Sequence, residues 1–403
     1  MPAKTSDRPR IFLNNVHLKG FKSIEDLSVD FQKGLNILIG KNGSGKSNIM
    51  EFLFEAIEVN RYNKFLHKYA KVEFVSEDGH SIVLELEKDL SVKIDKEAPE
   101  DGSEVHEKIV VDNKVVANNF DDRNYGQFEF KNKKVSYRGN PRNLLINLGY
   151  QYAHPLFIKF NLPDNLDCIA VPVILSASNV GTVVNWAYPK TVQFIDDIFW
   201  EIENTFSKTQ DIEQDISKEN ISEHLKIANE IIENLKLYSS IEDVRFNPNL
   251  ILYTIDKPIF NEKSITIENV KIEFKINGNW LPWSQLSDGT KRLFYIIAAI
   301  TNTTGLVLIE EPELGIHPHQ FNLLMDFLKE QSENKQIILS THSPKALDHL
   351  SQDELNSILV TYYDLKKGTQ IRHLTGKEIA KAKKYMKEVG FFSDYWLLSD
   401  LEE

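Results

Sequence analysis

The rhythm of apolar and polar positions changes several times along this chain, and each change predicts a different kind of element. Leu35-Asn36-Ile37-Leu38-Ile39, Leu306-Val307-Leu308-Ile309 and Ile337-Ile338-Leu339 are near-continuous apolar runs. Such runs suit strands covered on both faces, as in a parallel sheet. Residues 71–140 alternate instead, as in Val72-Glu73-Phe74-Val75 and Ile82-Val83-Leu84-Glu85-Leu86. That period predicts antiparallel strands, laid over one face of the core that the apolar runs build. Residues 11–40 read as two strands joined by a turn, the first beginning at Ile11-Phe12-Leu13 and the second leading up to Gly40.

Helical spacing appears after Asn48 and predicts a helix to about Tyr69. It carries Arg61, Lys64 and Lys68, with Lys71 beyond, interleaved with Tyr62, Phe65 and Tyr69. A solvated amphipathic face explains this pattern, with phosphate-backbone contact as the alternative. Between 191 and 240, Phe194, Ile198, Ile202, Ile212, Ile216, Leu225, Ile227, Ile231 and Leu235 recur at helical spacing. They predict an insertion of two or three helices, too short for a long coiled-coil arm. Strands resume from Ile251. The expected organisation is an N-terminal lobe at 1–190, a helical insertion at 191–250 and a C-terminal lobe at 251–403.

Candidate chemistry sits where the apolar runs end. Gly40-Lys41-Asn42-Gly43-Ser44-Gly45-Lys46-Ser47 follows the first run and precedes Asn48-Ile49-Met50-Glu51-Phe52-Leu53. That strand–loop–helix setting is what a phosphate-binding loop requires. Its backbone N–H groups and the helix N-terminus would close on phosphate oxygens. Lys46 would reach the β- and γ-phosphates of ATP, and Ser47 would ligate Mg²⁺. The second run ends in Glu310-Glu311, in the crevice where open α/β sheets bind ligands. Glu310 is the candidate metal carboxylate, and Glu311 the group that orients or deprotonates water. The third run ends in Ser340-Thr341-His342, and His342 could hydrogen-bond the γ-phosphate. Leu286-Ser287-Asp288-Gly289-Thr290 precedes a helical run, so Ser287 and Gly289 form a weak anion site that an ordinary serine cap also explains.

Composition narrows the class. The chain has 403 residues, 47 Lys+Arg and 59 Asp+Glu, for a net charge of −12. An acidic total disfavours a whole surface made for nucleic acid but leaves a local basic groove open. The densest basic cluster, Lys131, Lys133, Lys134, Arg138 and Arg142, reads as a charged hairpin edge or as such a groove. A single cysteine, Cys168, excludes an intrachain disulfide and fits a reducing cytoplasm. Neither a signal peptide nor a membrane span is expected.

Taken together, the motifs resemble those of ATP-binding-cassette ATPases of the SMC/RecF type. Val16-His17-Leu18-Lys19-Gly20-Phe21-Lys22-Ser23 is similar to that family's first strand and turn. Leu286-Ser287-Asp288-Gly289-Thr290-Lys291-Arg292 resembles the signature, and Glu310-Glu311-Pro312-Glu313-Leu314-Gly315-Ile316-His317-Pro318 the Walker B segment and D-loop. Ser340-Thr341-His342-Ser343-Pro344 resembles the switch-histidine loop. The closest subgroup is that of OLD-family and anti-phage ATPase subunits, such as those of Septu and PARIS. This resemblance implies an α/β head with a mixed, largely parallel core sheet, an antiparallel β subdomain and a short helical insertion. It also implies an ATP- and Mg²⁺-dependent ATPase in which two copies sandwich two nucleotides. Each loop (Gly40, Asn42, Gly43, Ser44, Gly45, Lys46, Ser47, Asn48) would then face the partner's Ser287 and Gly289. A higher homo-oligomer is compatible with this arrangement.

In that family Asp often stands where this chain has Glu310, and the loop glutamine that reports on Mg²⁺ has only Gln151 as a weak candidate. OLD nucleases carry a toprim domain after the switch histidine. Here a hairpin from Ile358 to Leu374, a helix and an aromatic, acidic tail are expected instead, with no clustered metal carboxylates. The implied role is control of a separate effector, often a nuclease, in phage defence. The alternative is a RecF-like, DNA-binding ATPase of repair or recombination.

Overall fold

The computed structural model describes residues 9–57, 68–88, 105–118, 125–131, 133–138, 148, 155–159, 166–167, 173–178, 181–185, 195, 197–198, 201, 218–257, 262–399 and 401. Its strands begin with β1 (Ile11–Phe21), β2 (Ile24–Asp30) and β3 (Leu35–Ile39), and helix α1 (Lys46–Ile57) follows. Next come β4 (Tyr69–Ser76), β5 (Ser81–Lys88), β6 (Val105–Val111), β7 (Lys114–Asn118), β8 (Tyr125–Phe130), β9 (Lys133–Arg138) and β10 (Leu156–Ile158). The middle of the chain holds β11 (Val173–Ser178), β12 (Gly181–Asn185), α2 (Lys218–His224), α3 (Asn229–Tyr238), β13 (Asp243–Phe246), β14 (Ile251–Lys257), β15 (Glu262–Glu268), β16 (Ile272–Ile276), β17 (Asn279–Pro282) and α4 (Asp288–Thr301). Last are β18 (Val307–Glu310), α5 (Pro318–Gln331), β19 (Ile337–Thr341), β20 (Ile358–Asp364), β21 (Gly368–His373), α6 (Gly376–Glu388) and α7 (Phe392–Leu398).

Two compact units result. One comprises Met1–Phe160, Thr303–Glu313 and Leu328–Glu403, the other Asn161–Asn302 and Leu314–Phe327. They interleave along the chain, whereas the expected lobes were consecutive.

The first unit is organised by one long sheet, in the order β10-β18-β19-β3-β20-β21-β2-β1-β4-β5-β6-β7 among the described residues. From β10 to β20 the strands run parallel. The three apolar runs are central here: every residue of β3 and β19 is buried. From β20 onward the pairings are antiparallel. The alternating segment therefore continues the ladder of the core sheet. Its buried positions, such as Val72, Ile82, Leu84 and Ile109, share one apolar core with Ile49, Met50, Phe52 and Leu53 of α1. Phe52 meets Phe21 edge-on at 5.6 Å.

Two expectations need correction. Residues 11–40 form three strands, because the turn at Lys22 (φ 49°) folds β1 back on β2. The polar residues Asp26, Ser28 and Asp30 alternate with buried Leu27 and Val29, which marks a strand of its own. The helix after the phosphate loop is described to Ile57, and Tyr69 opens β4 rather than closing a helix. Ala70, Val72 and Phe74 are buried there at period two, which decides for a strand. Residues 58–67, with Arg61, Tyr62, Lys64 and Phe65, lie outside the described residues. Arg142 and Gln151 do too. Lys131 is ion-paired with Asp78.

A buried side chain links distant parts of this unit. Gln336, just before β19, accepts from Leu13 N (2.7 Å) and donates to Leu13 O (2.8 Å) and Gln32 O (2.9 Å). It thus bonds β1, which lies several strands away in the sheet order.

The expected hairpin after His342 is β20–β21. Its helix α6 starts with a capping box between Thr375 and Glu378. The aromatic tail divides. Phe392, Trp396 and Leu401 are buried, while Phe391, Leu397 and Leu398 are 64%, 71% and 79% exposed. Helix α7 packs on the turn Pro344–His349, where Ser393 N and Oγ donate to Asp348 (both 2.8 Å).

In the second unit, β12-β11-β15-β14 and β13-β16-β17 form two antiparallel sheets. Phe274, Trp283 and Phe294 cluster edge-on and tilted, anchoring α4. Among the described residues the expected insertion contributes α2 and α3, whose Ile221, Ile231 and Leu235 are buried.

Candidate functional site

The site lies at the C-terminal ends of β3, β18 and β19. These strands are parallel and in register, Glu310 opposite Ser340 and Ser340 opposite Leu38. The loop from Gly40 to Gly45 leaves β3 and enters α1 at Lys46, with a turn closed by Ser44 N on Lys41 O (3.2 Å). Lys41, Asn42, Gly43 and Ser47 are exposed. They present the open N-terminal turn of α1 to solvent, the place where an anion is favoured.

Lys46 is only 5% exposed, and its ammonium is held in place. It donates to Gly40 O (2.8 Å) and Lys41 O (3.2 Å), and lies 3.2 Å from His342 Nδ1. The other ring nitrogen, Nε2, lies 2.9 Å from Glu311 Oε1. One neutral tautomer satisfies both contacts: Nε2–H donates to the carboxylate, and Nδ1 accepts from Lys46. The structure therefore joins Lys46, His342 and Glu311, which are far apart in sequence.

Glu311 occupies a left-handed backbone conformation, φ 46°, fixed by its N–H bond to Ser340 O (2.8 Å). Such a non-glycine conformation costs roughly 1–3 kcal/mol and persists where surroundings over-determine it, often at functional sites. Glu310, the last residue of β18, is half-buried.

Ser23 and Thr369, not expected among the site residues, brace the loop through Asn48. Asn48 Nδ2 donates to Ser23 Oγ (2.7 Å), which lies 2.7 Å from Thr369 Oγ1. This ties α1 to the β1–β2 turn and to β21. Two loop glycines owe their identity to the hairpin β20–β21. A Cβ on Gly40 would stand 2.1 Å from Thr361 O, and one on Gly45 2.0 Å from Thr369 Oγ1. Glu313 is the other omission: its Oε1 accepts from Thr341 Oγ1 (2.7 Å) and His342 N (2.9 Å). Only a residue rule linking positions far apart in the chain could have found these.

Ser287 and Gly289 are set by the second unit. Ser287 caps α4, accepting from Thr290 N (3.2 Å) with its hydroxyl 2.8 Å from Thr290 Oγ1. Gly289 is buried in the first turn.

The residues present fit a nucleotide. Ser44 Oγ and Ser340 Oγ are buried without a hydrogen-bond partner, a state that native proteins rarely leave unanswered and that a phosphate oxygen would satisfy at Ser44. Among the described residues no group of three or more His, Cys, Asp or Glu could hold a metal ion. The Ser47 hydroxyl and the Glu310 carboxylate are the protein donors that would hold Mg²⁺ beside phosphate oxygens and water. No described helix is long and apolar enough to cross a membrane.

Sheet, loop and acidic strand end are those of an AAA-type ATPase, and the chain is similar to ATPases of the SMC/RecF kind. Two family models match, "AAA ATPase domain" over residues 12–158 and "AAA domain, putative AbiEii toxin, Type IV TA system" over residues 187–348. The chain is 25% identical to "Retron Vc95 probable ATPase" of Vibrio cholerae, over 93% of this chain and 78% of that protein. It is 43% identical to "DNA replication and repair protein RecF" of Oenococcus oeni, but over only 11% of this chain and 12% of that protein. A solved SMC head bound to the C-winged helix domain of ScpA aligns over 92% of this chain and 99% of that chain, at 17% identity and a TM-score of 0.49.

Proposed function

We propose that this chain is the ATP-hydrolysing subunit of a bacterial anti-phage system, dimerising on ATP and controlling a separate effector nuclease. The observation that carries the reading is the similarity to a retron ATPase along nearly the whole chain. In this reading Gly40 to Asn48 cradle the phosphates, Lys46 contacts the β- and γ-phosphates, and Ser47 with Glu310 holds Mg²⁺. When bound, Mg²⁺ neutralises charge on the phosphate oxygens. Glu311 orients and deprotonates the attacking water, held for that task by His342, which contacts both it and Lys46. Ser287 and Gly289 of a second copy close each site, so hydrolysis needs two chains. The protein acts in the cytoplasm and cuts no nucleic acid itself.

Glu311→Gln tests the core of this reading. Turnover should fall about 10²–10⁴-fold, the range for a lost positioned base, while ATP binding persists and the variant accumulates as a dimer by light scattering. A variant that stays monomeric at saturating ATP refutes the sandwich. The defence role is tested by phage challenge of cells carrying the gene with its neighbours. Protection should vanish with Lys46→Ala, and the absence of protection by the intact set refutes the role. RecF-like repair is the second reading, favoured by the short RecF match. It requires duplex-DNA affinity with a steep salt dependence.

A further inference from the structure

The acidic run at the end of β18 holds three carboxylates, Glu310, Glu311 and Glu313, and the proposed chemistry uses only the first two. We infer that Glu313 is a positioning residue that sets the switch histidine through a carboxylate clamp on residues 341–343. The inference rests on the ATPase reading and extends it to a residue outside the nucleotide contacts.

One oxygen of Glu313 organises three consecutive residues. Oε1 accepts from Thr341 Oγ1 at 2.7 Å and from His342 N at 2.9 Å. Thr341 Oγ1, its proton committed to Glu313, accepts in turn from Ser343 N at 2.9 Å. The backbone N–H groups of His342 and Ser343 are thus both satisfied through this one carboxylate. They lie just past the end of β19, where no ladder partner holds them. The second oxygen, Oε2, is buried with no hydrogen-bond partner. A carboxylate that leaves an oxygen unsatisfied is a costly way to fill space, and such exceptions cluster at functional sites.

What the clamp fixes is the ring of His342. The backbone at 342 decides where the imidazole projects, and the imidazole touches Lys46 on one side and Glu311 on the other. Glu313 belongs to the same loop as Glu311, two residues on. It therefore locks the loop that follows β18 to the loop that follows β19. Base and histidine are held in one frame by a carboxylate whose own bonds go to Thr341 and His342.

The test compares Glu313→Ala, Glu313→Gln and His342→Ala, alone and combined, in the full chain. Glu313→Ala is expected to lower kcat roughly 10- to 100-fold, the cost of misplacing a catalytic group by about 1 Å, with the KM for ATP within about threefold. Glu313→Gln keeps an acceptor oxygen and should recover most of that loss. In the His342→Ala background, Glu313→Ala should cost less than about twofold, because residues acting as a unit are non-additive. Hydrogen exchange at the amides of His342 and Ser343 should quicken in Glu313→Ala. Unchanged exchange overturns the clamp; faster exchange with unchanged kcat, or fully additive losses, overturns the positioning role. A wild-type protein that turns over no ATP would overturn the ATPase reading instead, and the exchange measurement would still decide the clamp.

Discussion

Gly45→Ala is the sharpest probe of how the phosphate loop is built, because two independent penalties meet at one methyl group. Gly45 has φ +98°, outside the range that an alanine adopts without strain. That costs about 1–3 kcal/mol. The added Cβ would also stand 2.0 Å from Thr369 Oγ1, 2.6 Å from its Cγ2 and 2.8 Å from its Cβ. Thr369 cannot retreat easily: it is 0% exposed, its N–H bonds Ser23 O at 2.8 Å, and its hydroxyl meets Ser23 Oγ at 2.7 Å. Overpacking of this kind costs about 1–3 kcal/mol. The sum is roughly 2–6 kcal/mol, and at about 2–4 °C per kcal/mol for a unit of this size the melting temperature should drop by roughly 5–20 °C. Thr369→Ala removes the two closest atoms while leaving the φ strain. The double variant should therefore be more stable than the sum of the two single losses predicts, by about 1 kcal/mol or more. Differential scanning calorimetry of the four proteins decides it. Strictly additive losses, or a Gly45→Ala protein that melts with wild type, would refute the packing argument.

The tail gives a second contrast: Trp396→Ala should destabilise by about 3–5 kcal/mol, since Trp396 is 3% exposed. Leu397→Ala and Leu398→Ala should stay within about 0.5 kcal/mol, and equal effects in thermal melts would contradict the packing of α7. A third prediction concerns acid. Burial alone would raise the Glu378 carboxyl, but the backbone N–H and hydroxyl of Thr375 and the Arg372 guanidinium hold it below its ordinary value. A depressed folded pKa contributes stability above the unfolded value and loses it as pH falls through the folded one. Glu378→Gln should therefore melt lower than wild type near neutrality, with the gap closing below the usual glutamate range, about pH 4; a gap independent of pH would count against the assignment.

Much of the candidate site is legible in the sequence because its parts are local. A continuous apolar run such as Ile337–Leu339 betrays a doubly covered strand, and whatever follows it must fall at the sheet's C-terminal edge. Gly40–Ser47 carries its own geometry. The two-period pattern at Ala70, Val72 and Phe74 was equally available, but the aromatic and basic residues before it mimic a helix and hid the strand start. Thr369 and Glu313 were illegible for a different reason. Each acts by meeting a residue far along the chain, Thr369 meeting Ser23 and Glu313 meeting His342, and single-sequence patterns contain no information about such encounters. Nor could the interleaving of the units be seen, since composition does not shift at Asn302 or Thr303.

Gln336 has a consequence for the newly made chain. Its amide completes the backbone bonding of Leu13, a residue 323 positions earlier. At about 5–20 residues per second, a ribosome needs roughly 15–65 s to cover that distance. Throughout that interval β1 and β2 are synthesised but lack β21 and the amide that secures them, and the whole second unit emerges meanwhile. The first strands to leave the ribosome can thus pair with each other and with β4 early, yet their backbone bonding is completed only when residues 336 and 368–373 have been made.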